Sequence, residues 1–243
     1  MTGTARDTGA ALELLSTGEV EVLGLLPYSS NYVFLARLCK DGHEALAIYK
    51  PRRGERPLWD FPRGTLAARE VAAYLVSEAA GWAIVPPTIL RADAPMGTGS
   101  MQLFIEHDPE RHYFTLVEER LDEFAVFATF DVVVNNADRK AGHILEDADG
   151  RLWGVDHGVS FHTDEKLRTV IWHLAQRPLD GASVDGLLRL EAALKDERSL
   201  GGKLEKLLSQ KESAATLRRV ERLLQRGLLP SPSSDYHLPW PLI

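Results

Sequence analysis

The order of apolar and polar positions divides the chain into a β-rich first part and a helical second part. Alternating apolar residues predict three strands between residues 19 and 50. The dipeptide Asp41-Gly42 lies between the second and third of these runs and predicts a tight hairpin turn. The segment 51–64 contains three prolines and two glycines, so it is predicted to be a loop.

A long helix is predicted over residues 65–81, where Ala, Leu and Glu dominate. Thr65 is placed to cap its start, and Gly81 is placed to end it. Two further strand patterns follow over 84–91 and 100–108, with a polar loop between them. The β-rich part therefore contains one central helix.

From residue 113 onward the patterns are mainly helical, and a short hairpin with its turn at Asp149-Gly150 interrupts them. This order predicts a two-lobed body, with an N-lobe over 11–106 and a C-lobe over 107–243. The small, polar start at residues 1–10 is expected to be disordered. We expect the hairpin to lie at the cleft between the lobes.

Composition narrows the class of protein. The 243 residues carry a net charge of −7, which argues against a nucleic-acid partner because such binding relies on clustered Lys and Arg. Cys39 is the only cysteine, so no internal disulfide forms. The start has no signal-peptide core, and the apolar run 124–134 contains Asp131 and is far shorter than the roughly 20 residues of a membrane span. The expectation is a soluble, cytoplasmic protein without a transmembrane segment.

The densest candidate chemistry lies in the segment NNADRKAGHILEDADGRLWGVDHGVSF. Asp138, His143 and Asp156 flank the predicted hairpin, five and thirteen positions apart. Phosphoryl transfer uses a carboxylate near the acceptor hydroxyl and oxygen or nitrogen ligands for a divalent metal, which these side chains offer. Taken singly, Asp138 and Arg139 are also compatible with a loop turn, and a lone histidine is compatible with a structural role.

These motifs resemble those of protein kinases. In their amino-acid sequence they are more similar to the motifs of the phosphatidylinositol 3-/4-kinase superfamily. The segments NADRKAGH and DHGVSF are similar to the N-T-D-R-x-x-x-N and D-N-G-L-A-F segments of type II phosphatidylinositol 4-kinases. YSSNYVFL and SMQLFIE resemble their phosphate loop and hinge strand. The chain is identified as a member of a bacterial, actinobacterial-type family of such proteins. The resemblance covers residues 20–175 and implies a two-lobed α+β fold, with a β-rich N-lobe and a mainly helical C-lobe.

The resemblance also implies a role for each motif residue. Asp138 is expected to orient or deprotonate an acceptor hydroxyl, with Arg139 stabilising its loop. His143 and Asp156 are expected to bind Mg²⁺ or Mn²⁺ on the phosphates of ATP. The nucleotide-binding residues implied are the phosphate-loop residues Ser29, Ser30 and Asn31, the ion pair of Lys50 and Glu70, and the hinge residues Gln102, Phe104 and Ile105.

Two departures from the family keep alternatives open. His143 stands where the family has Asn, and residues 20–35 contain no G-x-G-x-x-G motif. The predicted ATP-dependent phosphotransferase therefore has two alternatives, which are a nucleotide-binding pseudokinase that regulates a partner and a kinase-fold enzyme that transfers another part of ATP, such as AMP. If His143 is a ligand, its protonation predicts a loss of activity near pH ~6.5.

The acceptor and the assembly are also open at this point. A lipid, a protein and a small-molecule hydroxyl are all compatible acceptors. The segment after Asp156 carries mixed charge, which leaves peripheral membrane contact open without favouring it. The oligomeric state is not predicted.

Overall fold

The computed structural model describes residues 8–27, 31–232 and 236–243. The first part of the chain forms a five-stranded antiparallel sheet in the order β1-β2-β3-β5-β4, which confirms the predicted β-rich lobe. Its elements in chain order are α1 (Thr8–Thr17), β1 (Glu19–Leu25), β2 (Phe34–Lys40), β3 (His43–Pro51), α2 (Leu66–Ala80), β4 (Thr88–Arg91) and β5 (Gly99–Leu103).

The hairpin between β2 and β3 forms where the sequence predicts it. Asp41 and Gly42 both have positive φ, at 50° and 78°, as a two-residue type I′ hairpin turn requires. The turn pairs Lys40 with His43 and sets the register of the two strands. The inward positions of β2 and β3 then pack with Met101 of β5 into a small core.

Helix α1 covers one face of that core. Leu15 is fully buried in the same cluster as Met101, which anchors the helix to the sheet. Helix α1 begins at Thr8, so residues 8–10 of the start that was predicted to be disordered are helical. Residues 1–7 lie outside the described part of the chain.

Helix α2 joins the sheet to the helical lobe. Gly81 ends it in the left-handed conformation at φ 72°, as predicted, whereas the Thr65 hydroxyl donates to the Pro62 carbonyl and does not cap the helix. Beyond its end, the Trp82 indole donates to the Ala182 carbonyl at 3.0 Å. A Cβ at Gly186 would lie 2.1 Å from the Trp82 ring, so this contact requires glycine.

The second part of the chain is mainly helical around a large apolar core, which confirms the α+β, two-lobed class. The apolar run 124–134 forms one helix, a shorter helix precedes it, and the predicted hairpin is present. The elements are α3 (Tyr113–Arg120), α4 (Phe124–Val134), β6 (Ile144–Glu146), β7 (Leu152–Gly154), α5 (Gly181–Lys195), α6 (Leu200–Leu204) and α7 (Gln210–Arg226). Among the residues described, no helix is both long enough and apolar enough to cross a membrane.

Candidate active site

A cleft of about 490 Å³ lies between the sheet and the loop that leads from α4 to the β6–β7 hairpin. We call residues 138–143 of that segment the 138–143 loop. Arg139 does not line the cleft, and Ser29 and Ser30 lie outside the described residues. The other predicted site residues all line it: Asn31, Lys50, Glu70, Gln102, Phe104, Ile105, Asp138, His143 and Asp156.

Lys50, near the end of β3, places its ammonium between two carboxylates. Its Nζ lies 2.5 Å from Oε1 of Glu70 and 2.8 Å from Oδ1 of Asp156. Burial disfavours the charged ammonium, but the two carboxylates outweigh burial and raise the pKa of Lys50. The same ammonium holds the pKa of Asp156 far below its usual range. Lys50 and Asp156 are therefore both charged at neutral pH.

Glu70 connects this ion pair to the helical lobe. Its Oε2 accepts the backbone N–H of His157 at 2.9 Å. Burial raises the pKa of the Glu70 carboxyl, although the Lys50 charge opposes the shift. The neighbouring Arg69 is buried and donates to Glu212 of α7 at 2.5 Å. Helix α2 therefore holds Glu70 in place through bonds to the opposite lobe.

Asp138 lies on the cleft wall with its carboxyl partly buried. Its backbone N–H donates to Oδ1 of Asn136 at 3.0 Å, and Oδ2 lies 3.4 Å from Nζ of Lys140. Burial raises the pKa of Asp138 to about 6, against the pull of Lys140 and with a contribution from the charge of Asp156. A carboxyl with such a pKa exchanges protons readily near neutral pH.

Arg139 is fully buried behind the 138–143 loop, away from the cleft, where its side chain contacts the loop that it is expected to stabilise. It forms an ion pair with Asp131 of α4 at 2.9 Å. Its remaining N–H groups donate to the carbonyls of His143 and Val155 and to Nε2 of His157, so each of the five has an acceptor. The guanidinium thus fixes the chain on both sides of the β6–β7 hairpin.

His143 faces Asp156 but also accepts a bond from its own loop. Its Nε2 lies 3.5 Å from Oδ2 of Asp156, and its Nδ1 accepts the backbone N–H of Lys140 at 3.4 Å. This bond places the proton of the neutral ring on Nε2. Burial lowers the pKa of His143 to about 4, although the Asp156 charge opposes the shift. The sequence-based expectation of a titration near pH 6.5 is therefore wrong.

The predicted hinge, residues 102–105, lies at the other end of the cleft, and two of its hydrogen-bonding groups bond to residues of the sheet lobe. The Gln102 amide donates to the Thr88 hydroxyl at 2.8 Å, and the Phe104 N–H donates to the Leu46 carbonyl at 3.0 Å. Those two groups are therefore occupied. Within the described part of the chain, the Ile105 N–H has no hydrogen-bond acceptor, and Ile105 lines the cleft.

The β1–β2 connection is tied to the loop between β3 and α2. Oδ1 of Asn31 accepts the Arg56 N–H at 2.8 Å, and the Tyr32 N–H donates to the Gly54 carbonyl at 3.1 Å. Asn31, which lines the cleft, is therefore held by a bond to the loop between β3 and α2.

The C-terminal residues 236–243 pack against the other side of the 138–143 loop. The Leu242 carbonyl accepts the Ala141 N–H at 2.8 Å, and the His237 carbonyl accepts the Thr169 N–H at 3.1 Å and the Trp172 indole N–H at 3.0 Å. This segment, whose role the sequence did not predict, supports the loop from outside the cleft.

Sequence reasoning missed two side chains that build the site. His157 bonds Arg139 through its side chain and Glu70 through its backbone, and its position inside the motif DHG was a possible signal. Asp131 was noted only as an interruption of an apolar run. A carboxylate in such a run requires a buried partner, which here is Arg139.

Comparisons with known proteins place this fold in the class of protein-kinase-like folds. The crystal structure of the Golgi casein kinase matches 96% of this chain and 77% of its own, with a TM-score of 0.61 and 16% identity. A hydra Fam20 structure with sugar matches 89% of this chain and 87% of its own, with a TM-score of 0.56 and 15% identity. These matches show a protein-kinase-like fold.

Sequence comparison defines the family within that class. The profile of the family "Phosphatidylinositol 3- and 4-kinase" matches residues 64–184. Protein Rv2133c of Mycobacterium tuberculosis is 39% identical over 98% of this chain and 96% of its own length. The phosphatidylinositol 4-kinase gamma 4 of Arabidopsis thaliana is 29% identical over 68% of this chain and 34% of its own. The chain belongs to this actinobacterial, phosphatidylinositol 3-/4-kinase-like family, as its motifs predict.

Proposed function

We propose that this protein transfers the γ-phosphoryl group of ATP to a hydroxyl acceptor. The observation that carries the proposal is the position of the Lys50 ammonium, which contacts both Glu70 and Asp156 in a cleft that also contains Asp138. Such a set provides a cation for phosphates, a metal-binding carboxylate and a proton acceptor in one place.

ATP would lie along the cleft with its adenine at Ile105 and its phosphates at Lys50. The Ile105 N–H is the backbone donor that the sheet leaves for the base. The Lys50 ammonium would neutralise phosphate charge, with Glu70 holding it in place. Asn31, together with Ser29 and Ser30, would contact the phosphates from the β1–β2 connection.

The donor set fits a divalent cation at the phosphates. A carboxylate oxygen of Asp156 and Nε2 of His143 lie 3.5 Å apart on one wall of the cleft, and the phosphates would complete the coordination. When bound, Mg²⁺ or Mn²⁺ supplies positive charge that neutralises the transferred group. His143 fits as a ligand only when its proton moves to Nδ1, which breaks its bond to the Lys140 N–H.

Asp138 would orient the acceptor hydroxyl and accept its proton. As the acceptor oxygen forms its bond to the γ-phosphorus, the bond from phosphorus to the β,γ-bridging oxygen breaks and ADP leaves with the electron pair. The hydroxyl proton passes to the Asp138 carboxylate, whose pKa of about 6 leaves it mostly ionised at pH 7. Arg139 would act through the loop that it holds.

A nucleotide-binding pseudokinase is the second candidate. The observation that favours it is the Nδ1 bond of His143, which directs the ring proton toward Asp156. The lobe boundary near residue 106, a cytoplasmic location and the absence of a nucleic-acid partner remain parts of the proposal, and the acceptor remains a lipid, protein or small-molecule hydroxyl.

Product analysis tests the proposal. Labelled ATP would be incubated with this protein and with pools of metabolites, lipids and proteins, and Asp138→Asn serves as the control. ADP with a labelled acceptor supports the proposal, whereas nucleotide binding without any product supports the pseudokinase. AMP-linked material would instead show transfer of the nucleotidyl group.

A further inference from the structure

The loop between β3 and α2 carries positive charge that no carboxylate neutralises. Within residues 52–64 there are four arginines and two acidic residues, in a chain whose net charge is −7. The four arginines are exposed, and in the described part of the chain no carboxylate lies within ion-pair distance of them. Of the two acids, Asp60 pairs with Lys166 at 3.0 Å. Oε1 of Glu55 accepts the Ala67 N–H at 3.0 Å, while its Oε2 is buried without a hydrogen-bond partner among the described residues.

Three of these arginines surround a cavity of about 270 Å³, which we call the arginine pocket. Arg52, Arg56 and Arg63 line it, whereas Arg53 does not. The Arg52 guanidinium is held by a 2.6 Å bond from Nε to the carbonyl of Gly64. Gly64 adopts φ 72°, a left-handed conformation that favours glycine, and a Cβ there would lie 3.6 Å from the guanidinium.

The arginine pocket adjoins the Lys50 end of the catalytic cleft. Glu55 and Leu66 line both cavities, and the Arg56 N–H bonds Asn31. Helix α2 connects the pocket wall at Leu66 to Glu70, the partner of Lys50. A molecule bound in the pocket therefore lies beside the phosphate end of the cleft rather than the end at Ile105.

We propose that the arginine pocket binds a phosphate monoester group of the acceptor, whose hydroxyl then reaches the cleft. This inference rests on the proposed function. Three guanidinium groups suit a dianion with three terminal oxygens, because each planar fork donates paired hydrogen bonds to such oxygens. Two sources share this chemistry, a soluble phosphate ester and a lipid phosphate, and Trp59 on the same loop is 92% exposed.

Binding of inorganic phosphate tests the pocket without any turnover of ATP. Arginine Nε–H signals of the ¹⁵N-labelled protein would be followed during a phosphate titration of the parent, Arg56→Gln, Arg63→Gln and Arg53→Gln. Saturable shifts are expected in the parent, with at least fivefold weaker binding in Arg56→Gln and Arg63→Gln. Arg53→Gln removes the same charge from the same loop outside the pocket and should weaken binding less than twofold.

Three results would overturn the proposal, the last of them from the same titration of Lys50→Met. Equal losses in Arg53→Gln and Arg56→Gln, or shifts without saturation, would show an adventitious ion only. Loss of phosphate binding in Lys50→Met with retention in Arg56→Gln would place the anion in the catalytic cleft. Because ATP binding is measured separately, failure of the pocket and failure of the proposed function give different patterns.

The source of the phosphate is then distinguished with two further probes. Glycerol 3-phosphate is added in the same titration, and phosphatidylcholine vesicles with and without phosphatidic acid are sedimented with the protein. Arg56-dependent binding of either probe supports the pocket and identifies its source. Binding of neither glycerol 3-phosphate nor phosphatidic acid vesicles, or binding that Arg56→Gln leaves intact, would refute an acceptor phosphate at this site.

Discussion

The two sides of the 138–143 loop differ in how many hydrogen bonds their polar side chains form. We call the buried side with Arg139 and Asp131 the back, and the cleft side with Asp138 and Asp156 the front. Behind the loop, Arg139 and Asp131 are fully buried, and every N–H of the guanidinium has an acceptor. On the cleft side, the Asp138 carboxyl has only a 3.4 Å contact with Lys140 among the residues that the structure describes, and the Asp156 side chain is 53% exposed. The pKa of each cleft-side carboxyl is shifted, upward for Asp138 and downward for Asp156.

This difference suits the two sides of the loop to different tasks: the buried side can hold the loop in place, and the cleft side can contact a ligand. A saturated buried network has one favourable arrangement, so it fixes the backbone that carries the cleft residues. Groups on the front keep lone pairs and charge available for a ligand, at a cost in stability that the network behind them offsets. Residues next to each other in sequence, Asp138 and Arg139, therefore differ in burial and bonding, and under the proposed function they would have different roles.

The largest expected effect on stability comes from breaking the buried ion pair between Arg139 and Asp131. Arg139→Met removes the cation and leaves the Asp131 carboxylate buried without its partner, so the free energy of unfolding should fall by about 3–5 kcal/mol. Urea denaturation measures it. Arg37→Met, which breaks an exposed pair with Glu21, is the control and should cost about 0–1 kcal/mol. Equal costs for the two variants would contradict the comparison.

Asp138→Asn should lower turnover, because it changes a side chain in the cleft, and it should leave the buried Arg139–Asp131 pair intact. Turnover should fall roughly 10²-fold or more, because the amide cannot accept the proton. Stability at pH 7 should rise, since the folded-state pKa of Asp138 is raised and its ionisation costs stability as pH rises through about 6. Steady-state assays and thermal unfolding measure the two effects. Turnover within a few-fold of the parent would remove Asp138 from the mechanism.

Lys50→Met should weaken ATP binding about tenfold or more, because it removes a charge that faces phosphates but keeps the apolar stem. Glu70→Gln should have a smaller effect, since it leaves the ammonium in place with its contact to Asp156. Calorimetric titration with ATP and Mg²⁺ gives both affinities. If Lys50→Met binds ATP like the parent, the cleft is not the nucleotide site.

The pH dependence of turnover should follow Asp138. Below pH 6 the carboxyl is increasingly protonated, so the rate should fall up to tenfold per pH unit in the acid limb. The His143 ring, with its pKa lowered to about 4, is mostly neutral above about pH 5, so it contributes only at the acid end of this range. A profile of turnover against pH from 4.5 to 8 measures this acid limb, the decrease in rate below pH 6. The decrease should be absent from the residual activity of Asp138→Asn. A limb that persists in that variant would assign it to another group.

The fold was predictable from sequence where local signals were strong. Asp41-Gly42 determines a hairpin by its own backbone preference, and the spacing of Asp138 and Asp156 around a short hairpin brings both to one cleft. The pairing of Asp131 with Arg139 was not predictable, because it depends on how α4 packs behind the loop. The C-terminal bonds to Ala141 likewise arise only when the chain returns to the loop after about 100 residues.

The smallest expected effect concerns the metal. If His143 is a ligand, the imidazole should favour Mn²⁺ over Mg²⁺, since Mg²⁺ prefers oxygen. The required shift of its proton from Nε2 to Nδ1 breaks one long bond, which the Lys140 N–H donates to Nδ1 at 3.4 Å. His143→Asn should lower the Mn²⁺/Mg²⁺ activity ratio several-fold, whereas His43→Asn, on the exposed β2–β3 hairpin, should leave it unchanged. Turnover with each saturating metal measures the ratio. An unchanged ratio in His143→Asn would show that the ring only packs against its loop, and it would strengthen the pseudokinase alternative.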